Sequence, residues 1–96
     1  MAAYFIADQQ EVNDPETMKA YSTRVAATIE QYGGKFSVRG GDPEILEGDW
    51  PVKRVIIIEF EDRTAIKAWY DSPEYAELKA MRLASSRSNA IIVDGV

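Results

Sequence analysis

Arg54-Val55-Ile56-Ile57-Ile58-Glu59-Phe60 is the stretch on which the fold turns. Five of its seven residues are apolar and four of those are β-branched, the composition of a strand. Pleating sends successive side chains to opposite faces. Arg54, Ile56, Ile58 and Phe60 therefore share one face, and Val55, Ile57 and Glu59 share the other. Both faces are mostly apolar, so both need cover. A chain of 96 residues can cover one face with its own helices. A second copy of the same chain is the expected cover for the other, because monomers rarely leave a large apolar patch in water. A loop folded over that face is the competing reading.

Working outward, Ala2 to Asp8 reads as a first strand of the same two-sided kind, with Tyr4 and Ile6 on one face and Ala3, Phe5 and Ala7 on the other. Gln9 to Asn13 is polar and turns the chain. Asp14-Pro15-Glu16-Thr17 starts a helix: Asp14 caps free N–H groups, Pro15 suits the first helical position, and Glu16 suits the positive end of the dipole. Met18, Tyr21, Val25, Ile29 and Tyr32 form its apolar stripe, and Gly33-Gly34 ends it. Lys35 to Arg39 alternates, with Phe36 and Val38 expected inward and Lys35, Ser37 and Arg39 outward, as in an edge strand. Gly40 to Pro51 is a loop carrying Ile45-Leu46 and Trp50. After the strand at Lys53 to Phe60, Asp62 to Tyr70 is a short helix. Ser72-Pro73-Glu74-Tyr75 starts a further helix that runs to about Ala84. Ser85 to Asn89 is polar, and Ala90 to Val93 is a short last strand.

The order is strand, helix, strand, strand, helix, strand. It predicts an α+β fold of the ferredoxin-like βαββαβ type: one domain over residues 1–96, a four-stranded antiparallel sheet and helices on one face. That topology makes the first and third strands central, and those are the two that are apolar on both faces.

Composition excludes several classes. Net charge is −5 and the basic residues are scattered, so a nucleic-acid backbone is an unsuitable partner. No apolar run approaches the roughly 20 residues that cross a bilayer, and no basic-then-apolar leader opens the chain, so no membrane partner and a cytoplasmic location are expected. With no cysteine and no histidine, disulfides, thiol chemistry, the usual haem ligand and the usual general base are absent. No cofactor and no metal are expected. Glu44, Glu47 and Asp49 lack calcium-loop spacing, and the glycine pairs lack the Lys-Ser/Thr of a phosphate loop.

Tyr4, Asp14-Pro15-Glu16 with Tyr21, Tyr32-Gly33-Gly34-Lys35, Arg39-Gly40-Gly41, Leu46-Glu47-Gly48-Asp49-Trp50, Arg54, Glu59-Phe60, Ala68 to Tyr75 and Arg82 form an ordered set. In that spacing the chain resembles the small bacterial domain-of-unknown-function 1330 (DUF1330) family over nearly its whole length. The resemblance implies a dimeric α+β barrel, in which two ferredoxin-like subunits pair their sheets. It implies no particular reaction. Relatives in that superfamily include cofactor-independent quinol monooxygenases, muconolactone isomerase and haem chlorite dismutases, and fold does not carry function across such a group.

The candidate site residues each have a bland reading beside the functional one. Glu59, in an apolar strand, is a proton acceptor if buried; otherwise it sits solvated or paired at the rim. Arg39 and Arg54 can hold a substrate carboxylate, or pair with Glu59 or Glu47. Tyr21, Trp50 and Trp69, with Tyr70 and Tyr75, can line a cleft; for Trp69 and Tyr75 core packing competes. Arg82 lies on the apolar stripe of the last helix and calls for a partner. Two functions follow. One is a homodimeric protein binding a small organic ligand, an anionic one among the candidates, with a cofactor-independent enzyme of monooxygenase or isomerase type, using Glu59, as its catalytic form. The other is a non-catalytic dimerisation module. Convergence of Glu59 and Arg39 on one closed pocket favours the first.

Overall fold

The computed structural model describes all 96 residues. The elements are β1 (Ala3–Val12), α1 (Pro15–Gln31), β2 (Lys35–Gly40), β3 (Arg54–Phe60), α2 (Arg63–Tyr70), α3 (Pro73–Ser85) and β4 (Ser86–Asp94). The strands form one antiparallel sheet in the order β2-β3-β1-β4. This is the ferredoxin-like arrangement, with β1 and β3 at the centre.

Local chemistry starts each helix. Asp14 accepts the Thr17 N–H at 3.2 Å and the Thr17 hydroxyl at 2.6 Å. The Thr17 hydroxyl, more than the backbone N–H, holds the Asp14 carboxyl below its ordinary value. Asp62 caps α2 by accepting from Ala65 N–H at 2.8 Å, and Ser72 caps α3 by accepting from Tyr75 N–H at 3.2 Å. Gly33, at φ 79°, takes the left-handed exit from α1 that a side chain would resist.

The register assigns the faces. Ala3, Phe5 and Ala7 of β1 lie opposite Phe60, Ile58 and Ile56 of β3 on the face that meets the helices. These residues, Ile56 apart, are buried with Val25, Ile29, Ile66, Trp69, Tyr75 and Leu78 in a single core. Trp69 is its centre. Its ring lies 4.2 Å from Tyr75, 5.5 Å from Phe5 and 5.6 Å from Phe60, and its indole N–H donates to Thr28 Oγ1 at 3.1 Å. Gly34 brings the chain past this core with no room to spare. A Cβ there would stand 2.6 Å from Phe60 Cε2 and 2.7 Å from Ile29 Cγ2. Gly34→Ala is expected to destabilise the protein by about 1–3 kcal/mol, as overpacking does, which a urea unfolding curve measures.

The opposite face carries Tyr4, Ile6, Val55, Ile57, Glu59, Ile91 and Val93. Ile91 is 59% exposed, and no helix lies over it. The long loop before β3 runs beside this face, where Trp50 Nε1 donates to Asp8 Oδ2 at 3.0 Å, while Ile45, Leu46 and Trp50 stay exposed.

Two strands are longer than their composition suggests. β1 continues to Val12 through a register shift between Gln9 and Glu11, and β4 begins at Ser86 rather than Ala90. The two extensions pair with each other, Arg87 opposite Glu11 and Ser86 opposite Val12, with an Arg87–Glu11 ion pair at 3.6 Å. Backbone pairing holds them, so polar side chains are tolerated and the alternation that marks a strand is missing. β2 differs in another way. Its register shifts between Phe36 and Val38, which makes Ser37 an extra residue, a β-bulge. Phe36 and Arg39 then lie opposite Ile58 and Ile56 on the helix face, while Val38 lies opposite Ile57 on the other. The expected facing of Val38 inward and Arg39 outward is reversed.

Candidate functional site

Between α1, the end of α3 and the helix face of the sheet is a cavity of about 400 Å³. Ala7, between Phe5 and Gln9 along the helix face of β1, lines it with a small side chain. Phe5, Val25, Phe36, Ile56 and Ile58 make the walls apolar. Four cations complete the lining, Lys19, Arg39, Arg54 and Arg82, and no carboxylate or histidine is among the lining residues. That is an uneven distribution for a chain with 16 acidic and 11 basic residues.

Each arginine is positioned by a different device. Arg39 is turned toward the cavity by the bulge at Ser37; its guanidinium rests 4.3 Å from the Phe36 ring centre and donates to the Ser22 carbonyl of α1 at 2.7 Å. Arg54 opens β3 beside Gly40. Gly40 has φ 95°, and a Cβ there would come 2.8 Å from Arg54 Nη1, so a glycine keeps that guanidinium where it is. Arg39 and Arg54 are exposed and sit at the mouth. Arg82 is only 8% exposed and sits deep. Its Nε donates to the Tyr75 hydroxyl at 3.1 Å, and the Tyr75 and Tyr21 hydroxyls are 2.8 Å apart.

None of the three arginines enters an ion pair; the five in the chain use Arg24, Lys35, Arg63, Lys79 and Arg87. No fully buried side-chain nitrogen or oxygen lacks a hydrogen-bond partner. The terminal nitrogens of Arg82, which make no hydrogen bond within the chain, are therefore not fully buried, and Arg82 lines the cavity. Burial works against the Arg82 charge, while Tyr75 first, then Tyr21 and Tyr70, favour it and hold the group above its ordinary value. Tyrosines carry no charge near neutral pH, so there the guanidinium faces phenols rather than an anion. Burial, reinforced by Tyr75, pushes the Tyr21 hydroxyl well above the ordinary tyrosine value despite Arg82 and Arg39. Tyr21 is thus a hydrogen-bonding hydroxyl and not a phenolate base.

Of the residues singled out from the sequence, Tyr21, Arg39 and Arg54 line the cavity, and Glu59, Trp50 and Trp69 do not. Glu59 lies on the opposite face of the sheet, opposite Tyr4 and Lys35, with Lys35 Nζ at 3.8 Å. It does not converge with Arg39. Trp50 stands beside the open face at Asp8, and Trp69 is wholly buried in the core. Arg82 joins the cavity. Its signal in the sequence was a charge on an apolar stripe, and its partner is a phenol, not a carboxylate.

The family model described as a domain of unknown function, DUF1330, matches residues 2–96. No curated protein matches the chain. Among solved structures, a protein of unknown function from Rhodopseudomonas palustris, RPA0582, is similar with a TM-score of 0.78 and 21% identity, over 99% of this chain and 82% of that one. SnoaB, a cofactor-independent oxygenase from Streptomyces nogalater, is similar with a TM-score of 0.70 and 18% identity, over 99% and 93%. A dimeric ferredoxin-like protein of unknown function from Jannaschia sp. CCS1 gives a TM-score of 0.75 and 12% identity, over 99% and 100%. At these identities the likeness is one of fold.

Proposed function

The chain belongs to the DUF1330 family, and from that premise we propose that it is a homodimeric protein binding a small organic anion with an apolar body. The observation that carries this reading is the cavity, in which three arginines without carboxylate partners meet apolar walls. A guanidinium left unpaired in a partly dry site is a ready receptor for an oxyanion. The volume suits a ligand of modest size. A non-catalytic dimerisation module, the rival reading, needs no such cavity.

Naphthoate tests the proposal, since it joins a carboxylate to an aromatic body. Calorimetric titration is expected to give saturable binding, weakened about tenfold in Arg39→Gln and in Arg54→Gln, as loss of one charged hydrogen-bonding partner implies. Naphthalene methanol, the uncharged analogue, is expected not to compete. No heat with naphthoate would leave the dimerisation module as the better reading.

The homodimer rests on the open face, where Ile57 and Ile91 stand uncovered by helix, and on the dimeric Jannaschia protein of like fold. Burying those side chains against a second sheet contributes roughly 1.5–3 kcal/mol each. Ile57→Asp is therefore expected to sediment as a 10.8 kDa monomer, while the parent protein sediments at about twice that mass, as a two-fold dimer does. A parent protein that sediments as a monomer at micromolar concentration ends this part of the reading. Cofactor-independent catalysis, the activity named for SnoaB, is the catalytic form of the proposal. In it the arginine-held anion is the reacting molecule. Glu59, on the far face of the sheet, has its place at the subunit contact.

A further inference from the structure

The cavity holds more positive charge than one carboxylate can balance. Lys19, Arg39, Arg54 and Arg82 line it and no acidic side chain does. A ligand with a single charge leaves a surplus field acting on any weakly acidic group of the same molecule. The helix side also presents a donor of a distinct kind. Arg82 donates to the Tyr75 oxygen, and the Tyr75 hydroxyl lies 2.8 Å from that of Tyr21. When the Tyr75 hydroxyl donates to the Tyr21 oxygen, the Tyr21 hydrogen is free to point into the cavity it lines. Such a chain of hydrogen bonds polarises each member. Its end is one O–H donor backed by a buried guanidinium, which complements a single oxyanion rather than the paired oxygens of a carboxylate.

Resting on the anion-binding reading above, we infer that the cavity takes a phenol or an enolisable carbonyl compound as its conjugate base and so promotes ionisation of its ligand. The O–H bond of the phenol, or the C–H bond beside the carbonyl, breaks. The electron pair stays on the ligand, with the charge on the oxygen facing Tyr21, and the proton leaves to water because no lining side chain accepts it. No side-chain base is needed, and none lines the cavity.

The test uses para-nitrophenol, whose anion is yellow, titrated with pH alone and with saturating protein, beside naphthoate on the same preparation. Cations within several ångströms lower an acid's ionisation midpoint by about 1–3 units. The midpoint of the bound dye is expected to fall by about one to two units. It should return most of the way in Tyr21→Phe, which keeps the ring, while naphthoate affinity changes less than threefold. Lys67→Gln, which removes an exposed cation of α2 outside the cavity, is the control and should leave the midpoint of the parent protein. If naphthoate binds but the dye either fails to bind or binds with an unmoved or raised midpoint, this inference is overturned and anion binding stands. A shift that persists undiminished in both Tyr21→Phe and Arg82→Met also overturns it. If neither compound binds, both readings fall together.

Discussion

Arg82→Met is expected to weaken naphthoate binding by about 10- to 100-fold while changing folding stability by no more than about 1 kcal/mol. The first number is the worth of a charged hydrogen-bonding partner in a partly dry site, roughly 1.5–3 kcal/mol. The second follows from what surrounds the guanidinium. It is nearly buried, it has one phenol for a partner and it has no carboxylate. Burying a charge under those conditions is unfavourable, and an apolar side chain of similar length gives back about as much as it removes. The Tyr75–Tyr21 hydrogen bond does not use Arg82 and is expected to persist in the variant. Calorimetry and urea unfolding on one preparation read both numbers. A stability loss of several kcal/mol with binding intact would make Arg82 a structural residue and remove the innermost cation from the proposed site.

Trp69→Ala is expected to have the opposite signature and the largest effect on folding, a loss of about 3–5 kcal/mol. The indole is wholly buried against Phe5, Phe60, Tyr70 and Tyr75. Removing it opens a cavity where α2, α3 and the sheet meet. A small domain has about 5–15 kcal/mol in total, so the loss is a large fraction of the whole. Trp69→Phe is the milder change. It keeps a ring in place but loses the bond to Thr28, whose hydroxyl still donates to the Val25 carbonyl, together with part of the indole's packing. A loss of about 1–3 kcal/mol is expected there. Naphthoate affinity should not move, because Trp69 does not line the cavity.

The contrast between these residues shows how far the sequence could be read. Helix starts were legible because Asp14, Asp62 and Ser72 act within three residues of themselves. Topology was legible because two strands apolar on both faces must be central. The same two-sidedness hid the face of Glu59: a strand greasy on both sides carries no mark of which side meets the helices, and only pairing with Tyr4 and Lys35 decides it. Arg39 was hidden by one bulge residue, Ser37, since a shift of one position exchanges faces. The beginning of β4 was hidden because paired backbone, not buried side chains, holds it. Arg82 was visible as an anomaly. Its partner was not, because Tyr75 lies seven residues away on the same helix while Tyr21 comes from another.

The extra residue in β2 has a further consequence for how a pocket of this kind diversifies over generations. β2 pairs on one side only, with β3, so a shift within it disturbs little else. A substitution that straightens the bulge at constant length, drawing Ser37 into the pairing, would exchange Arg39 for Val38 as the side chain on the cavity face. Descendants would then trade a taste for anions for a taste for neutral molecules in one genetic step, with the interior of the protein untouched.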